Sequence, residues 1–329
     1  MAKYLVTGVA GFIASRTASM LLEQGHEIIG VDNLNDAYDV RLKHWRLEQI
    51  RGHKNLEFHQ IDICDRKALE FLFAKSGTQQ PPFDAVVNLA ARAGVRQSVE
   101  NPWVYVDTNL TGTLNLLEMC RQHGVKKLLL ASTSSLYGAH NPRPFREDAD
   151  TNKPLSPYAA SKKAAEAMCY TYHYLYGTTV TIPRYFTVYG PAGRPDMSLF
   201  RFVQWINEGR PVTVFGDGQQ SRDFTFVDDI ARGTIACLGL DGYNIVNLGS
   251  DKPRILMESI RIIEGLTGKK ANIVHKPLHA ADVLATWADI SRARQLLHWE
   301  SQVSFEQGIE ALVKWYMTNR SWAKDVETY

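Results

Sequence analysis

Cysteine is scarce in this chain of 329 residues. Its four cysteines, Cys64, Cys120, Cys169 and Cys237, stand far apart, form no CxxC pair and are too few for a disulfide framework at this length. The sequence also lacks a leader-like segment and any apolar run of about 18 residues, which a membrane-spanning helix requires. We therefore expect reduced cysteines, a cytoplasmic location and no span across a membrane.

Charge of one sign is not in excess. The 37 basic and 35 acidic side chains leave a formal charge of +2, and the basic residues form no stripe of the kind that binds nucleic acid. The sequence contains no HExxH motif, and the histidines His275 and His279, four residues apart, fall on a predicted strand and the loop after it. We expect neither nucleic acid nor a metal ion as a partner.

The composition is that of a folded globular protein, with 45% hydrophobic, 22% charged and 10% aromatic residues. In the first half, short β-branched runs alternate with amphipathic helical stretches, which predicts a parallel sheet with right-handed crossovers. Strands are predicted at residues 4–7, 28–32, 56–60, 85–89, 127–132 and 179–184, and helices at residues 13–24, 104–123 and 156–176. The predicted fold class is α/β, a Rossmann-type doubly wound parallel sheet with a smaller α/β region at the C-terminal end.

After about residue 185 this alternation becomes irregular, and loops rich in glycine and proline at residues 190–195 and 216–218 separate shorter elements. We therefore predict a Rossmann domain over residues 1–180 and a second region over residues 181–329. A further predicted strand at residues 243–248 is expected to return to the main sheet, so that residues 222–250 belong with the first domain.

The first predicted strand runs into a glycine-rich loop, Thr7-Gly-Val-Ala-Gly-Phe-Ile-Ala14, which opens a helix. Gly8 permits a tight turn, Gly11 lets the backbone approach a pyrophosphate, and the helix N-terminus offers free N–H groups to an anion. Ala14 stands where a third glycine is usual, at a position that serves helix packing. Taken alone, these glycines are also typical of an ordinary turn.

A carboxylate downstream favours the interpretation as a dinucleotide site. Asp32 ends the second predicted strand 24 residues after Gly8, where a carboxylate accepts hydrogen bonds from ribose hydroxyls and repels a 2′-phosphate. This indicates NAD rather than NADP. Asp62 and Ile63 end the third predicted strand and are placed to cover an adenine, although Asp62 is equally suited to cap the helix beginning near Arg66.

Tyr158 and Lys162 form a YxxxK pair, although about 0.7 such pairs arise by chance from 14 tyrosines and 16 lysines. The pair opens a predicted helix, where residues i and i+4 share a face, and a strand ending near Thr133 precedes it. An ammonium and a nicotinamide cation favour the ionised phenol, so Tyr158 is expected to be a base near neutral pH, with Thr133 bonding the same substrate hydroxyl. The alternative is a surface pair on a dimer helix.

Several longer motifs identify a family resemblance: TGVAGFIAS at residue 7, DNLND at 32, NLAARAGVRQS at 88, ASTSSLYG at 131, SPYAASK at 156, RYFTVYGPAGRPDM at 184 and RDFTFVDDI at 222. With these motifs the chain resembles the extended short-chain dehydrogenase/reductases, and among them the nucleotide-sugar 4-epimerases of the UDP-glucuronate 4-epimerase group. The resemblance covers nearly the whole chain. Departures are Ala14, Arg92 in place of a glutamine, and residues 281–284 in place of Gly-Asp-Val-Pro.

The resemblance implies roles for individual residues. It implies that Thr133, Tyr158 and Lys162 are catalytic. The implied NAD ligands are Gly8, Gly11, Phe12, Ile13, Asp32, Asn33, Asp62, Ile63, Leu89, Ala90, Ala91, Asn109, Tyr158 and Lys162. The implied ligands of the UDP-sugar are Arg222 at the diphosphate, Phe200 and Val214 at the uracil, Asp282 at the ribose, and Ser134, Ser135, Thr187 and Arg194 at the sugar carboxylate, with Arg96 a weaker candidate there.

The activity that the resemblance implies is C4 epimerisation of UDP-glucuronate through a 4-keto intermediate, with no net redox change. Related decarboxylases carry a glutamate at the position of Ser135, and related 4,6-dehydratases carry an Asp-Glu pair after the catalytic threonine, whereas both slots here are serine. The alternatives are a 4-epimerase of a neutral UDP-hexose, then a UDP-glucuronate decarboxylase, and outside enzymes an NAD-sensing binding protein. The family also implies a homodimer formed by the helices at 104–123 and 156–176.

Overall fold

The structure is a computed structural model that describes residues 1–76, 81–277 and 283–328. Its strands are β1 (Lys3–Thr7), β2 (Glu27–Asp32), β3 (Leu56–Gln60), β4 (Ala85–Asn88), β5 (Lys127–Leu130), β6 (Ser132–Thr133), β7 (Thr179–Tyr185), β8 (Thr187–Tyr189), β9 (Pro211–Phe215), β10 (Ser221–Arg222), β11 (Phe224–Phe226), β12 (Tyr243–Leu248), β13 (Arg254–Ile255) and β14 (Asn272–Lys276).

The helices alternate with these strands along the chain. They are α1 (Phe12–Glu23), α2 (Arg41–Arg51), α3 (Arg66–Lys75), α4 (Val95–Glu100), α5 (Trp103–Tyr105), α6 (Gly112–His123), α7 (Pro157–Tyr176), α8 (Ser198–Asn207), α9 (Val227–Cys237), α10 (Leu256–Thr267), α11 (Ser291–Leu297), α12 (Phe305–Thr318) and α13 (Arg320–Ala323). A π-helical turn, Val106–Thr111, joins α5 to α6, and a 3₁₀ turn, Ser134–Tyr137, follows β6.

The main sheet is parallel, in the order β12-β7-β5-β4-β1-β2-β3, and β6 extends the pairing with β7. Buried aliphatic residues of β1 lie in register with those of its neighbour, as with Leu5 opposite Ile29. The chain leaves β1 toward β2 on one side and reaches β4 on the other, so a crevice opens between their carboxyl ends, where such sheets bind ligands. The predicted fold class is confirmed.

After it has left the main sheet, the chain returns to it for one further strand. β12 pairs with β7 in parallel, from Tyr243 opposite Val180 to Leu248 opposite Tyr185. The prediction of a returning strand is confirmed. The rest of the C-terminal region contains short pairs, β8 with β11, β9 with β14 and β10 with β13, around a core that includes Phe200, Trp205 and Trp315.

One predicted helix differs from the structure. The single helix expected over residues 104–123 is divided into α5, the π turn and α6. The helix predicted at 156–176 begins at Pro157 because the Ser156 hydroxyl accepts a hydrogen bond from the Ala159 N–H and caps it. Among the described residues, no helix is long and apolar enough to cross a membrane.

Candidate active site

The phosphate loop requires glycine at two positions. Gly8 has a φ of +67°, and a Cβ atom there would lie 2.8 Å from the Cα of Ala90. At Gly11 a Cβ atom would lie 2.7 Å from the carbonyl oxygen of Gly8. The bare backbone of these two residues precedes the N-terminus of α1, where unpaired N–H groups and the helix dipole favour a phosphate.

Asp32 ends β2 beside this loop and is only 6% exposed. Its Oδ2 accepts a hydrogen bond from the Ala10 N–H at 3.1 Å, and its Oδ1 accepts one from the Leu34 N–H at 2.8 Å. The Lys43 Nζ lies 3.7 Å from the same carboxylate. The carboxylate is therefore fixed at the strand end where the adenosine ribose of a dinucleotide binds, and the loop and this residue together fit NAD.

Asn33 links the segment after β2 to the segment after the neighbouring strand β3. The Asn33 Nδ2 donates to Asp62 Oδ2 at 2.8 Å, and Asp62 Oδ1 accepts from the Cys64 N–H at 2.8 Å. Ile63 is buried, at 4% exposure. The alternative role of Asp62 as a helix cap is wrong, because Asp65 caps α3 by accepting a hydrogen bond from the Ala68 N–H at 3.0 Å.

Residues 89–92 follow β4 and lie against the phosphate loop. The Thr7 hydroxyl accepts from the Ala90 N–H at 3.1 Å and donates to Asn88 Oδ1 at 2.8 Å. Asn109, in the π turn, accepts from the Arg92 N–H and donates to the Arg92 carbonyl, at 2.9 and 3.0 Å. These contacts fix the backbone of Leu89, Ala90 and Ala91, which were predicted to contact the cofactor.

The predicted catalytic residues lie in a cavity of about 450 Å³ at the carboxyl ends of the strands. Tyr158 and Lys162 come from the first turns of α7, and Thr133 comes from β6. Other residues of the cavity wall include the predicted cofactor ligands Gly11, Phe12, Ile13, Leu89 and Ala91 and the predicted carboxylate ligands Arg96, Ser134, Ser135, Thr187 and Arg194. The sequence therefore identified residues that the fold brings together from several elements.

The protein itself does not favour the ionised phenol. Burial raises the pKa of Tyr158, and a hydrogen bond with Thr133 and the charge of Arg194 oppose this only in part. Burial also lowers the pKa of Lys162 to about 8, against the charge of Glu166, which raises it. In the protein without bound cofactor, desolvation disfavours each charged form. The expectation that the ammonium and a nicotinamide cation together favour the phenolate stays a prediction.

Arg194 lies in the cavity wall with its orientation fixed. Its Nε and Nη2 donate to the two carboxylate oxygens of Asp196, at 3.0 and 2.5 Å, and Nη2 also donates to the Ala93 carbonyl at 3.1 Å. Asp196 was not among the predicted site residues, although an acid two residues after a candidate arginine was a usable signal. The guanidinium of Arg96 lies over the ring of Phe215, 3.8 Å from its centroid.

A second cavity of about 180 Å³ continues from the first, since both are lined by Ser134, Ser135 and Thr187. Arg222 also lines it, and Nη1 of this residue donates to the Ser221 and Leu284 carbonyls at 2.8 and 3.3 Å. Arg222, which the resemblance assigns to the diphosphate, thus lies in the wall of this cavity.

Two residues predicted to contact the uracil are buried in the C-terminal region. Phe200 and Val214 are 2% and 0% exposed and pack in the core of the C-terminal region. Among the described residues, Phe200 lines a small adjoining cavity together with Thr187 and Arg194, which also line the larger one, whereas Val214 lines none of these three cavities. Their assignment to the uracil stays a prediction. Asp282 lies outside the described residues.

Tyr105, Tyr38 and Arg46 belong to the surroundings of the site, and the sequence analysis assigned them no role. The Tyr105 ring meets the Tyr158 ring edge-on, with centroids 6.1 Å apart. Tyr38 lines the larger cavity, and its hydroxyl accepts a hydrogen bond from Arg46 Nη1 at 2.7 Å. Only Tyr38 had a sequence signal, since it follows the DNLND motif.

Known proteins of similar sequence include epimerases. The chain is 56% identical over 328 residues to the UDP-glucuronate 4-epimerase of Thermodesulfobacterium geofontis, covering 99% of this chain and all of that protein. It is 36% identical to UDP-glucuronate 4-epimerase 2 of Arabidopsis thaliana, covering 95% of this chain and 75% of that protein.

Solved structures give the same result. The fold matches the UDP-glucuronic acid 4-epimerase of Bacillus cereus, solved with UDP-glucuronic acid and NAD, with a TM-score of 0.88, 34% identity and coverage of 96% and 99% of the two chains. It also matches the UDP-glucose 4-epimerase of Thermotoga maritima, solved with UDP-glucose, with a TM-score of 0.87, 30% identity and coverage of 97% and 99%.

The model of the NAD dependent epimerase/dehydratase family matches residues 4–249, which include the phosphate loop, Thr133, Tyr158 and Lys162. The predicted resemblance to the nucleotide-sugar epimerases is confirmed by this match together with the similar sequences and folds. The chain belongs to the NAD dependent epimerase/dehydratase family.

Proposed function

We propose that the chain interconverts UDP-glucuronate and UDP-galacturonate by inverting C4 of the sugar. The observation that carries this proposal is one cavity that combines Thr133, Tyr158 and Lys162 with Arg194, whose guanidinium is oriented by Asp196. The first three residues suit oxidation and reduction of a hydroxyl-bearing carbon, and the arginine suits a carboxylate.

NAD is the cofactor, and when bound it supplies the nicotinamide that takes the C4 hydride and returns it. The residues that would hold it are those of the phosphate loop, Asp32 and the chain at 89–91. Because the cofactor ends unchanged in an epimerisation, we expect it to stay bound through many turnovers.

Tyr158 is the proton acceptor of the C4 hydroxyl and the donor that restores it. Since the protein alone raises the pKa of this phenol, a positive charge brought into the cavity is needed to make it a base. Lys162 adds a positive charge on the same helix face, and Thr133 holds the phenol by a hydrogen bond. The three residues thus act on one proton.

The sugar carboxylate has to be restrained during the reaction. Oxidation at C4 gives a β-keto acid, which loses carbon dioxide when the C5 carboxyl bond aligns with the carbonyl π system. Ser134, Ser135, Thr187 and Arg194 line the cavity and supply hydroxyl donors and a cation that can hold the carboxylate out of that alignment. Both positions after Thr133 are serine, so the acidic residues that decarboxylases and dehydratases carry there are replaced.

A neutral UDP-hexose is the second candidate substrate, favoured by the equally close fold of the UDP-glucose 4-epimerase of Thermotoga maritima. The two candidates differ at Arg194, because a neutral sugar offers no carboxylate to pair with it. The decarboxylase ranks lower because the glutamate of those enzymes is replaced here by serine. The NAD-sensing protein ranks lower because all three predicted catalytic residues are retained.

The proposal also assigns roles to the two regions of the chain. Residues 1–180 with 222–250 would bind NAD, and the rest of 181–329 would bind the nucleotide sugar.

A homodimer is expected through α7 and the helical segments at 103–123, where Trp103 and Tyr174 are 77% and 76% exposed. The cytoplasmic location agrees with four free thiols, at Cys64, Cys120, Cys169 and Cys237.

Replacement of Arg194 tests the assignment of the substrate. Loss of a charge-assisted hydrogen bond of about 1.5–3 kcal/mol should weaken UDP-glucuronate binding roughly ten- to hundredfold. We expect Arg194→Ala to raise the fraction of decarboxylated 4-keto-pentose and to favour UDP-glucose relative to UDP-glucuronate. If the wild type turns over both sugars equally and Arg194→Ala changes neither ratio, the neutral-sugar epimerase is the better assignment.

A further inference from the structure

Arg46 is buried although α2, with the sequence RLKHWRLEQIR, is strongly polar. The side chain is 2% exposed, and its guanidinium lies over the rings of Phe12 and Tyr38, at 5.7 and 5.4 Å from their centroids. A buried cation is unfavourable unless its donors find acceptors. The acceptors of Arg46 therefore indicate what this burial achieves.

These acceptors belong to three segments of the chain, two of which are loops distant in the sequence. Nε and Nη2 of Arg46 donate to the Ala192 carbonyl at 2.9 and 2.6 Å, and Nη2 also reaches the Gly193 carbonyl at 3.2 Å. Nη1 donates to the Ala10 carbonyl at 3.3 Å and to the Tyr38 hydroxyl at 2.7 Å. One side chain thus holds the loop at 190–194 against the phosphate loop.

The loop that Arg46 holds has an unfavourable backbone conformation. Ala192 has a φ of +51°, in the left-handed region that residues with a Cβ atom rarely adopt, and it is 1% exposed. Its carbonyl receives two of the donors of Arg46, which stabilise this conformation. Arg194 follows two residues later, so its backbone position depends on Arg46 and its side-chain orientation on Asp196.

We propose that Arg46 is a positioning residue for Arg194, which sets the preference for a sugar that carries a carboxylate. This inference rests on the proposed function, because the ligand of Arg194 there is the glucuronate carboxylate. The planar guanidinium of Arg46 donates hydrogen bonds to both loops at once. A lysine at this position keeps the charge, but its compact ammonium group cannot bond both loops in the same way. A neutral UDP-sugar does not use Arg194 and is little affected.

The test measures binding in a Tyr158→Phe background, where turnover does not interfere. Isothermal titration with UDP-glucuronate and UDP-glucose is compared between Arg46 and Arg46→Lys. We expect a loss of about tenfold in affinity for UDP-glucuronate and less than about twofold for UDP-glucose. With Tyr158 intact, Arg46→Lys should also raise the fraction of UDP-4-keto-pentose among the products of UDP-glucuronate.

Arg51→Gln is the matched control, since Arg51 lies on the same helix, is exposed and pairs with Glu48 at the surface. We expect it to change neither affinity nor products. Should Arg46→Lys fail to fold, Tyr38→Phe removes one acceptor of Arg46 and keeps the ring. It should lower the affinity for UDP-glucuronate about two- to threefold and leave the affinity for UDP-glucose unchanged.

Equal losses for both nucleotide sugars, with an unchanged fraction of UDP-4-keto-pentose, contradict the role of Arg46 and assign it to general stability of the fold. A wild-type protein that leaves UDP-glucuronate unchanged contradicts the proposed function instead. The two failures are therefore distinguishable.

Discussion

The charge of Lys162 depends on a buried carboxylate one helical turn further along α7. Glu166 accepts two hydrogen bonds from Arg184, at 3.0 and 2.7 Å, and one from the Ser132 hydroxyl at 2.6 Å. Because Ser132 precedes Thr133, this carboxylate also ties the strand that carries Thr133 to the helix that carries Lys162. Its negative charge supports the buried ammonium, whose pKa burial has lowered to about 8.

The first prediction concerns the alkaline limb of the pH profile of kcat/KM. In the proposed mechanism Lys162 acts in its protonated form, so activity should fall as the pH rises through about 8. Glu166→Gln removes the charge that raises this pKa, so the limb should move to lower pH. The profile is measured below the melting midpoint of the variant, since breaking a buried pair costs about 3–5 kcal/mol.

Glu48→Gln, at an exposed carboxylate, serves as the control and should leave that limb in place. An alkaline limb that is identical in folded Glu166→Gln and in the wild type would remove Glu166 from the titration.

The second prediction concerns the base. Tyr158→Phe keeps the ring and its contact with Tyr105 but removes the proton acceptor, so kcat should fall by roughly 10² to 10⁴ while substrate affinity persists. Single-turnover and steady-state kinetics measure this. Tyr176→Phe, near the end of the same helix, should keep wild-type kcat. Near wild-type turnover in Tyr158→Phe excludes the phenol from the reaction.

Local spacing made part of the site predictable. Tyr158 and Lys162 share one helix face by geometry alone, and Thr133 follows a strand at the edge where ligands bind. Arg46 was not predictable, because a cation in a polar helix has the pattern of a solvated residue and its acceptors at 10 and 192 come from distant loops.

At the scale of elements, short apolar runs bounded by turn residues were sufficient to predict the strands of the main sheet. The helix at 103–123 differs because the π turn is set by contacts far along the chain. Asn109 bonds the backbone of Arg92 and the Ser161 hydroxyl, and these partners are brought near only by the folded sheet and α7. These contacts cannot be predicted from the hydrophobic spacing within the helix.

The third prediction concerns the phosphate loop. In Gly8→Ala the new methyl group would lie 2.8 Å from the Ala90 backbone, and residue 8 has the positive φ that residues with a Cβ atom rarely adopt. The loop must therefore move, and the bound NAD should be lost. Cofactor released by denaturing the purified protein measures this. Gly25→Ala is the matched control, because Gly25 also has a positive φ, +83°, with open space around it.

Gly25→Ala should cost about 1–2 kcal/mol in the free energy of unfolding and leave NAD in place. If Gly8→Ala retains as much NAD as Gly25→Ala, the loop is not the pyrophosphate site.

At the scale of the whole molecule, the cavity joins two parts of the chain. The sheet supplies the phosphate loop and the catalytic residues, and the chain after residue 185 supplies Thr187 and Arg194. The exposed face of α7 lies outside this cavity. Tyr170 and Tyr174 share that face, four residues apart, and are 52% and 76% exposed.

The fourth prediction is that this face forms the dimer. Sedimentation velocity should give a dimer for the wild type and a monomer for a Trp103→Lys/Tyr174→Lys variant, because each lysine would bury a charge at the interface. Phe71→Lys, at a residue of α3 that is 69% exposed, should leave the dimer unchanged. A monomeric wild type, or dissociation by Phe71→Lys, contradicts the assignment.

C4 inversion of a carboxylated UDP-sugar, with a cofactor that ends unchanged, is decided by proton NMR of the products after incubation of the purified wild type with UDP-glucuronate and no added cofactor. We expect a mixture of UDP-glucuronate and UDP-galacturonate with little UDP-pentose. Unchanged UDP-glucuronate from protein that carries NAD, or UDP-pentose as the main product, would contradict it.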